Sequence, residues 1–219
     1  MLLGGFTMLA RFSAIIAVSL LACLGMAQDF FHRPSPVAGS FILSLATFPE
    51  VQKEVKLTPD DSKKIEDQLG KVGEDMQTAF GDSQGDFGKL GLEIVRINVK
   101  YDADFLKSLT PDQAKRIKEL FVQFAGAGII VRDDFAKDLG LTDAQKTKVA
   151  TLQSDETKKI GELFQSGGDP ASMGPEMKKL NDAFKVLLAG VLTDDQKKKL
   201  EDMKGTKFEF EKPAAAAGG

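Results

Sequence analysis

Cysteine appears once in this 219-residue chain, histidine once, tyrosine once and tryptophan never. The single cysteine, Cys23, lies in an N-terminal apolar segment, so the chain beyond it has no disulfide, no thiol nucleophile and no cysteine-ligated zinc. His32 stands in a proline-rich stretch with no second base or nucleophile near it in sequence, which leaves a catalytic triad or a histidine zinc site with at most one member. Beyond the N-terminal segment no apolar run is long enough to span a bilayer. An excess of positive charge is missing as well.

What is present starts with Arg11, the apolar run from Phe12 to Ala22 and small residues at Gly25 and Ala27, the pattern of an export signal over residues 1–27. Leu20-Leu21-Ala22-Cys23 is similar to a lipobox, so the alternative to simple cleavage is a lipoprotein anchored through Cys23. Loss of the signal removes Arg11 and no acid, leaving 28 basic against 32 acidic residues and a formal charge of −4. That balance argues against a nucleic-acid partner, and against any membrane contact beyond such an anchor.

A short element then recurs four times: Leu57-Thr58-Pro59-Asp60-Asp61, Leu109-Thr110-Pro111-Asp112-Gln113, Leu141-Thr142-Asp143-Ala144-Gln145 and Leu192-Thr193-Asp194-Asp195-Gln196. Each is a helix start. The N-cap residues Thr58, Thr110, Thr142 and Thr193 accept from the third helical amide, while Asp61, Gln113, Gln145 and Gln196 at that third position reach back to the cap's own N–H. Pro59 and Pro111 occupy the first helical position, where no N–H is needed.

The surroundings of the element recur too. Residues 49–80 match 133–164 at an offset of 84, and 91–110 match 174–193 at an offset of 83, as expected of a tandem duplication with one residue gained or lost in a surface loop. The repeat decides an ambiguity: Val95 to Tyr101 alternates apolar and polar like a strand, but the apolar positions common to both copies, 94, 97, 101, 105 and 109, are spaced as a helical stripe. The expected fold is all-α, two tandem repeats of a helical hairpin plus a third capped helix. Long helices are predicted near 59–80, 89–108 and 111–124, and again near 143–165, 175–190 and 194–204. The organisation reads as a signal peptide over 1–27, an N-terminal arm over 28–48, helical repeats over 49–131 and 133–210, and a disordered tail over 211–219.

Chemistry-bearing patterns are sparse. Asp82, Gln84, Asp86, Gly88 and Glu93 approach the spacing of a calcium loop, but Phe87 stands where that loop needs glycine, and the second copy keeps none of the ligands. The pairs Asp60-Asp61, Asp133-Asp134 and Asp194-Asp195 lie at or near helix starts, where the helix dipole accounts for them. Gly126-Ala127-Gly128 is too short for a dinucleotide loop and follows a helix rather than a strand. No catalytic residue, metal site or cofactor is expected, and the chain reads as a non-enzyme.

The repeated Leu-Thr-x-x-Gln element in an exported helical chain resembles the Spy/CpxP-like family of periplasmic proteins, through Leu109 to Gln113, Leu141 to Gln145 and Leu192 to Gln196, with Leu57 to Asp61 as a weaker copy. That resemblance implies a periplasmic stress-response role: an ATP-independent helical chaperone shielding unfolded polypeptides, or a regulatory adaptor docking one envelope partner. Three departures stand against it: four motifs where the family typically has two per chain, net acidity where the family's cradle is basic, and one histidine with no cysteine after the signal. Four motifs in one chain would let it make internally the pairing the family makes as a homodimer. Candidates for client binding are Phe121, Phe124, Ile129, Ile130, Val131, Phe208 and Phe210, which fall outside the repeated apolar stripe. Packing between the two repeats is the competing use for them.

Overall fold

Helix starts fall where the four threonines put them. The Asp61 amide donates to Thr58 Oγ1 at 3.2 Å, and the Thr58 amide donates to Asp61 Oδ2 at 3.0 Å. The same reciprocal pair joins Thr110 to Gln113 at 3.3 and 3.0 Å, Thr142 to Gln145 at 3.2 and 3.0 Å, and Thr193 to Gln196 at 3.3 and 3.0 Å. The structure, a computed structural model, describes residues 42–165 and 170–210. The expected export signal over 1–27, Cys23, His32 and the tail over 211–219 lie outside the described residues.

Among the described residues all regular structure is helical and no strand occurs. In chain order the helices are α1 (Ile42–Leu45), α2 (Pro49–Val55), α3 (Pro59–Ser83), α4 (Phe87–Ser108) and α5 (Pro111–Ala125), then a 3-10 turn (Gly126–Val131). They continue as α6 (Asp133–Leu139), α7 (Asp143–Gln165), α8 (Pro170–Ala189) and α9 (Asp194–Asp202). Residues 94–101 lie inside α4, so the three-and-four spacing and not the alternation describes them.

Three boundaries differ from expectation. Helix α3 runs on to Ser83, and the chain reverses at Gln84 (φ 49°) and Gly85 (φ 87°) before Asp86 caps α4 by accepting the Lys89 amide at 3.0 Å. Most of the glycine-containing stretch predicted as loop is therefore helical. Helix α8 begins at Pro170, with Pro175 inside it, because the earlier proline also suits a first helical position. Helix α9 stops at Asp202; the chain then turns through Gly205 at φ 59°.

Helices α3 and α4 pack together, as do α7 and α8, and α4 also packs against α7. The α4–α7 contact is close because both helices place glycine in it. A Cβ on Gly91 would come within 2.7 Å of Thr157 Oγ1, and one on Gly161 within 2.6 Å of the Phe87 ring. A continuous core runs from Ile42, Leu43 and Leu45 through Ile65, Phe105, Ile117 and Leu120 to Ile129, Ile130 and Leu188. The described residues fall within one compact unit. No described helix is long and apolar enough to cross a membrane.

Four short elements lie outside the long helices that the sequence predicts: α1, α2, the 3-10 turn and α6. Helix α1 packs on α3, α4 and α5, while the 3-10 turn packs on α5, α6, α7 and α8. A buried ion pair joins them. Asp102, on α4 and 0 % exposed, accepts the amides of Ile42 at 3.0 Å and Leu43 at 2.8 Å and also bonds Arg132 Nη1. Arg132, buried at the end of the 3-10 turn, also holds Asp134 in a two-bond fork at 3.1 and 2.9 Å. Its guanidinium lies 5.4 Å from the Phe121 ring centre and 5.2 Å from that of Phe135. Burial pushes the Asp102 carboxyl above its ordinary range, and the Arg132 charge and the two amides pull against that rise.

Candidate functional site: a crevice between α4 and α7

The stripe that α3 presents to the core, Ile65, Leu69, Val72 and Met76, becomes Val149, Gln153, Glu156 and Ile160 on α7 at the same offset of 84. Two apolar members are thus replaced by polar ones, and both replacements are buried: Gln153 is 5 % exposed and Glu156 is buried beside it in the helix. Gln153 Nε2 and Glu156 Oε1 have no hydrogen-bond partner. Burial raises the Glu156 carboxyl pKa, and nearby Lys159 only partly offsets that effect.

Gln153 lines a crevice of about 230 Å³. One wall comes from α4, with Leu92, Val95 and Arg96; the facing wall comes from α7, with Lys146, Val149, Ala150 and Gln153 at helical i, i+3, i+4 and i+7 positions. Ile130 and Val131 of the 3-10 turn and Asp133 and Ala136 of α6 complete it. The lining is apolar apart from one buried amide and three exposed charged residues, Arg96, Lys146 and Asp133. Arg96 also pairs with Glu93 at 3.2 Å, and Lys146 with Asp143 at 3.6 Å; both are exposed pairs of small energetic weight.

A larger groove of about 500 Å³ lies between α3 and α4. Four of its charged residues pair off, Lys100 with Asp75 and Arg96 with Glu93. Lys100 Nζ donates to Asp75 at 3.0 Å and Tyr101 Oη to the same carboxylate at 2.9 Å, and these two bonds, Lys100 foremost, lower the Asp75 pKa. Among the described residues no group of three His, Cys, Asp or Glu side chains is placed to hold a metal.

The seven apolar residues picked out for client binding are not an open surface. Phe121, Ile129 and Ile130 are buried in the core, and Phe124, Val131, Phe208 and Phe210 are partly buried against it. The reason is local: the 3-10 turn folds Ile129 and Ile130 inward, and the segment after α9 returns over α5. There Gln123 accepts the Phe208 amide at 2.8 Å and donates to the Lys204 and Thr206 carbonyls at 2.6 and 2.8 Å, and Arg116 donates to the Thr206 carbonyl at 2.9 Å. Phe210 then meets Phe124 edge-on at 5.4 Å and Phe208 at 5.0 Å. Only Ile130 and Val131 of the seven line the crevice. The large apolar side chains exposed instead are Phe80, Leu92, Val186 and Leu187, on α3, α4 and α8.

The capping glutamines do more than cap. Gln113 Nε2 donates to the Lys56 carbonyl at 3.0 Å, and Gln196 Nε2 donates to the Gly140 carbonyl at 3.2 Å. Gln145 Nε2 donates to the Val191 carbonyl at 2.8 Å and to Gln196 Oε1 at 2.7 Å. Each amide thereby closes the cap with its oxygen and tethers a neighbouring helix end with its nitrogen, which a carboxylate such as Asp61 cannot do. Compared with family models, with curated proteins and with solved structures, the chain has no match.

Proposed function

We propose that this chain is an exported, non-catalytic binding protein that shields apolar segments of aggregation-prone polypeptides in the periplasm, related in kind to the Spy/CpxP-like proteins its capped motifs resemble. The observation that carries the reading is the exposure of Phe80, Leu92, Val186 and Leu187 on long helices whose surfaces are otherwise densely and evenly charged. Apolar side chains dispersed among charges form no contiguous patch for tight docking of one partner, so any contact they make with an unfolded segment is weak.

The body that presents them is, on this reading, a tandem duplication. Equivalent bonds support it: Gln113 to Lys56 in one half and Gln196 to Gly140 in the other are the same contact shifted by 83 and 84 residues, and Lys56 and Gly140 are both left-handed, at φ 58° and 73°. The α3–α4 and α7–α8 hairpins correspond, as do the contacts of α2 with α5 and of α6 with α9. At an offset of 84, residues 42–47 fall on 126–131, so the 3-10 turn serves the second copy as α1 serves the first. The copies then begin near residue 42 and residue 126.

The test is suppression of aggregation of a chemically reduced client protein by the purified chain. Suppression at a few-fold molar excess is expected, and most of it should vanish in a Phe80→Ser, Leu92→Ser, Val186→Ser, Leu187→Ser variant that keeps its helical circular dichroism. Absence of suppression by the unsubstituted chain, together with recovery of one envelope partner in a pull-down, would replace this reading with that of an adaptor.

A further inference from the structure

The segment that returns over α5 after α9, residues 203–210, lies on a face that holds main chain more than particular side chains. Arg116, Glu119 and Gln123 stand at i, i+3 and i+7 on one side of α5. Gln123 donates to the Lys204 and Thr206 carbonyls and accepts the Phe208 amide, and Arg116 donates to the Thr206 carbonyl. Gly205 passes so close to α5 that a Cβ there would overlap the Glu119 carboxyl. The bonded backbone groups belong to alternate residues, 204, 206 and 208. Lys207 and Glu209 point away from this contact: they pair with each other at 3.2 Å and are 84 % and 85 % exposed. Beyond the backbone the face takes two rings. Phe208 meets Phe210, Phe210 meets Phe124 of α5, and Phe124 meets Phe48 at 6.0 Å, in a row of edge-on contacts.

We propose that this face of α5, with Phe124 and Phe48 at its end, is a second polypeptide-binding surface whose resident occupant is residues 203–210, and that a non-helical segment of another polypeptide with aromatic residues at i and i+2 displaces that occupant. The ligand class follows from what sits there. Hydrogen bonds to carbonyls and an amide accept many sequences in the same conformation, and the ring pair adds the side-chain requirement. The occupant is also weakly held. Phe208 and Phe210 are only half-buried, and the bonds from Arg116 and Gln123 to the Thr206 carbonyl are exposed, the features of a segment that opens while the rest stays folded. Its departure uncovers apolar surface on Phe124 and Phe48, and an incoming pair of rings covers that surface again. The partner class rests on the polypeptide-shielding reading, but the residues differ: Phe80, Leu92, Val186 and Leu187 make none of these contacts.

The probe is a dye-labelled peptide, Thr-Ser-Phe-Ser-Phe-Ser, followed by fluorescence anisotropy, with Thr-Ser-Phe-Phe-Ser-Ser as a comparator of the same composition. The full chain carrying Phe208→Ser and Phe210→Ser, whose ring positions are empty, should bind the probe saturably and 1:1. Its affinity should exceed that of the unsubstituted chain by about tenfold or more, because there the chain's own segment competes at an effective concentration on the order of millimolar. The comparator should bind several-fold more weakly. Adding Phe124→Ala to the serine variant should abolish binding, and adding Gln123→Leu should weaken it several-fold by removing the bonds to backbone. In the unsubstituted chain, unlabelled probe, which has no lysine or arginine, should speed tryptic cleavage after Lys204 and Lys207 several-fold and leave cleavage elsewhere unchanged. That readout decides if the serine variant loses its helical circular dichroism. The proposal is overturned by no saturable binding to a folded serine variant up to low millimolar probe, by equal affinity in variant and parent, or by equal binding of the comparator. Binding unaffected by Phe124→Ala, or parent cleavage unchanged at low millimolar probe, overturns it as well. Probe binding without suppression of aggregation removes the shielding reading and leaves this site standing; suppression without probe binding removes the site and leaves that reading.

Discussion

Asp102 ties α1 and Arg132 to α4. Its carboxylate accepts from the first two amides of α1 and from Arg132, so removing it leaves three buried donors without their acceptor, one of them charged. Asp102→Ala should therefore destabilise by about 3–5 kcal/mol in urea denaturation, as expected for breaking a buried pair from one side. The double variant Asp102→Leu, Arg132→Met should lose less than Asp102→Ala, because no buried charge is left behind. Nothing in the sequence marked this pair. Asp102 sits on the core-facing side of α4 between Asn98 and Phe105, but its partners are 60, 59 and 30 residues away, and local spacing cannot report such contacts. The caps were legible for the opposite reason: Thr110 and Gln113 meet three residues apart, so their geometry is contained in the pattern.

Glu156 permits a test whose sign depends on pH. Burial raises its pKa in the folded state, so that state binds the proton more tightly than the unfolded chain does. Its favourable contribution is fully present below the unfolded glutamate pKa of about 4.3 and is lost as pH rises through the folded value. Glu156→Gln should accordingly be more stable than the parent at pH 7, by on the order of 1 kcal/mol, with the difference shrinking toward zero below pH 4. A gain that persists undiminished in acid would mean that side-chain shape and not charge is responsible. This residue was accessible to sequence reasoning: once the apolar stripe of α3 is laid on α7, Gln153 and Glu156 stand out as the members that break it.

Among elements, the strap that follows α9 is held to α5 mainly by one side chain. Gln123 makes three hydrogen bonds to it, and the aromatic contacts of Phe208 and Phe210 lie just beyond. Gln123→Ala should release the strap while α9 stays folded, giving faster tryptic cleavage after Lys204 and Lys207 but a loss in global stability of only about 1–2 kcal/mol. Equal cleavage rates in parent and variant would show that the aromatics suffice to hold it. The two phenylalanines are visible in the sequence; their target is not, because α9 ends at Asp202 and the chain then crosses to α5, 85 residues earlier. The 3-10 turn was hidden similarly. Gly126 and Gly128 signal the end of a helix, yet they begin a segment whose Ile129 and Ile130 complete the core. A terminator and a compact apolar turn look alike when composition is the only guide.

At the scale of the whole molecule, the question is whether the two halves melt together. Each has its own hairpin and its own capped third helix, which favours separate transitions. The α4–α7 contact opposes this, since Gly91 and Gly161 bring the helices close enough that no side chain fits between Gly161 and Phe87. Core residues from both halves also form one cluster. The second consideration should win, because neither half can bury its face of that contact alone. Tyr101 makes the test direct: as the only tyrosine in a chain without tryptophan, it reports on the first half alone, whereas far-ultraviolet circular dichroism reports on all helices. Urea transitions followed by the two signals should coincide in the parent protein. In Gly161→Val, where the new side chain must displace the Phe87 ring, the midpoint should fall by the equivalent of about 1–3 kcal/mol, and the two signals should separate if the contact is what couples the halves. Two resolved transitions in the parent protein would instead mean that each half is stable by itself and that the crevice between α4 and α7 is a junction between independent bodies.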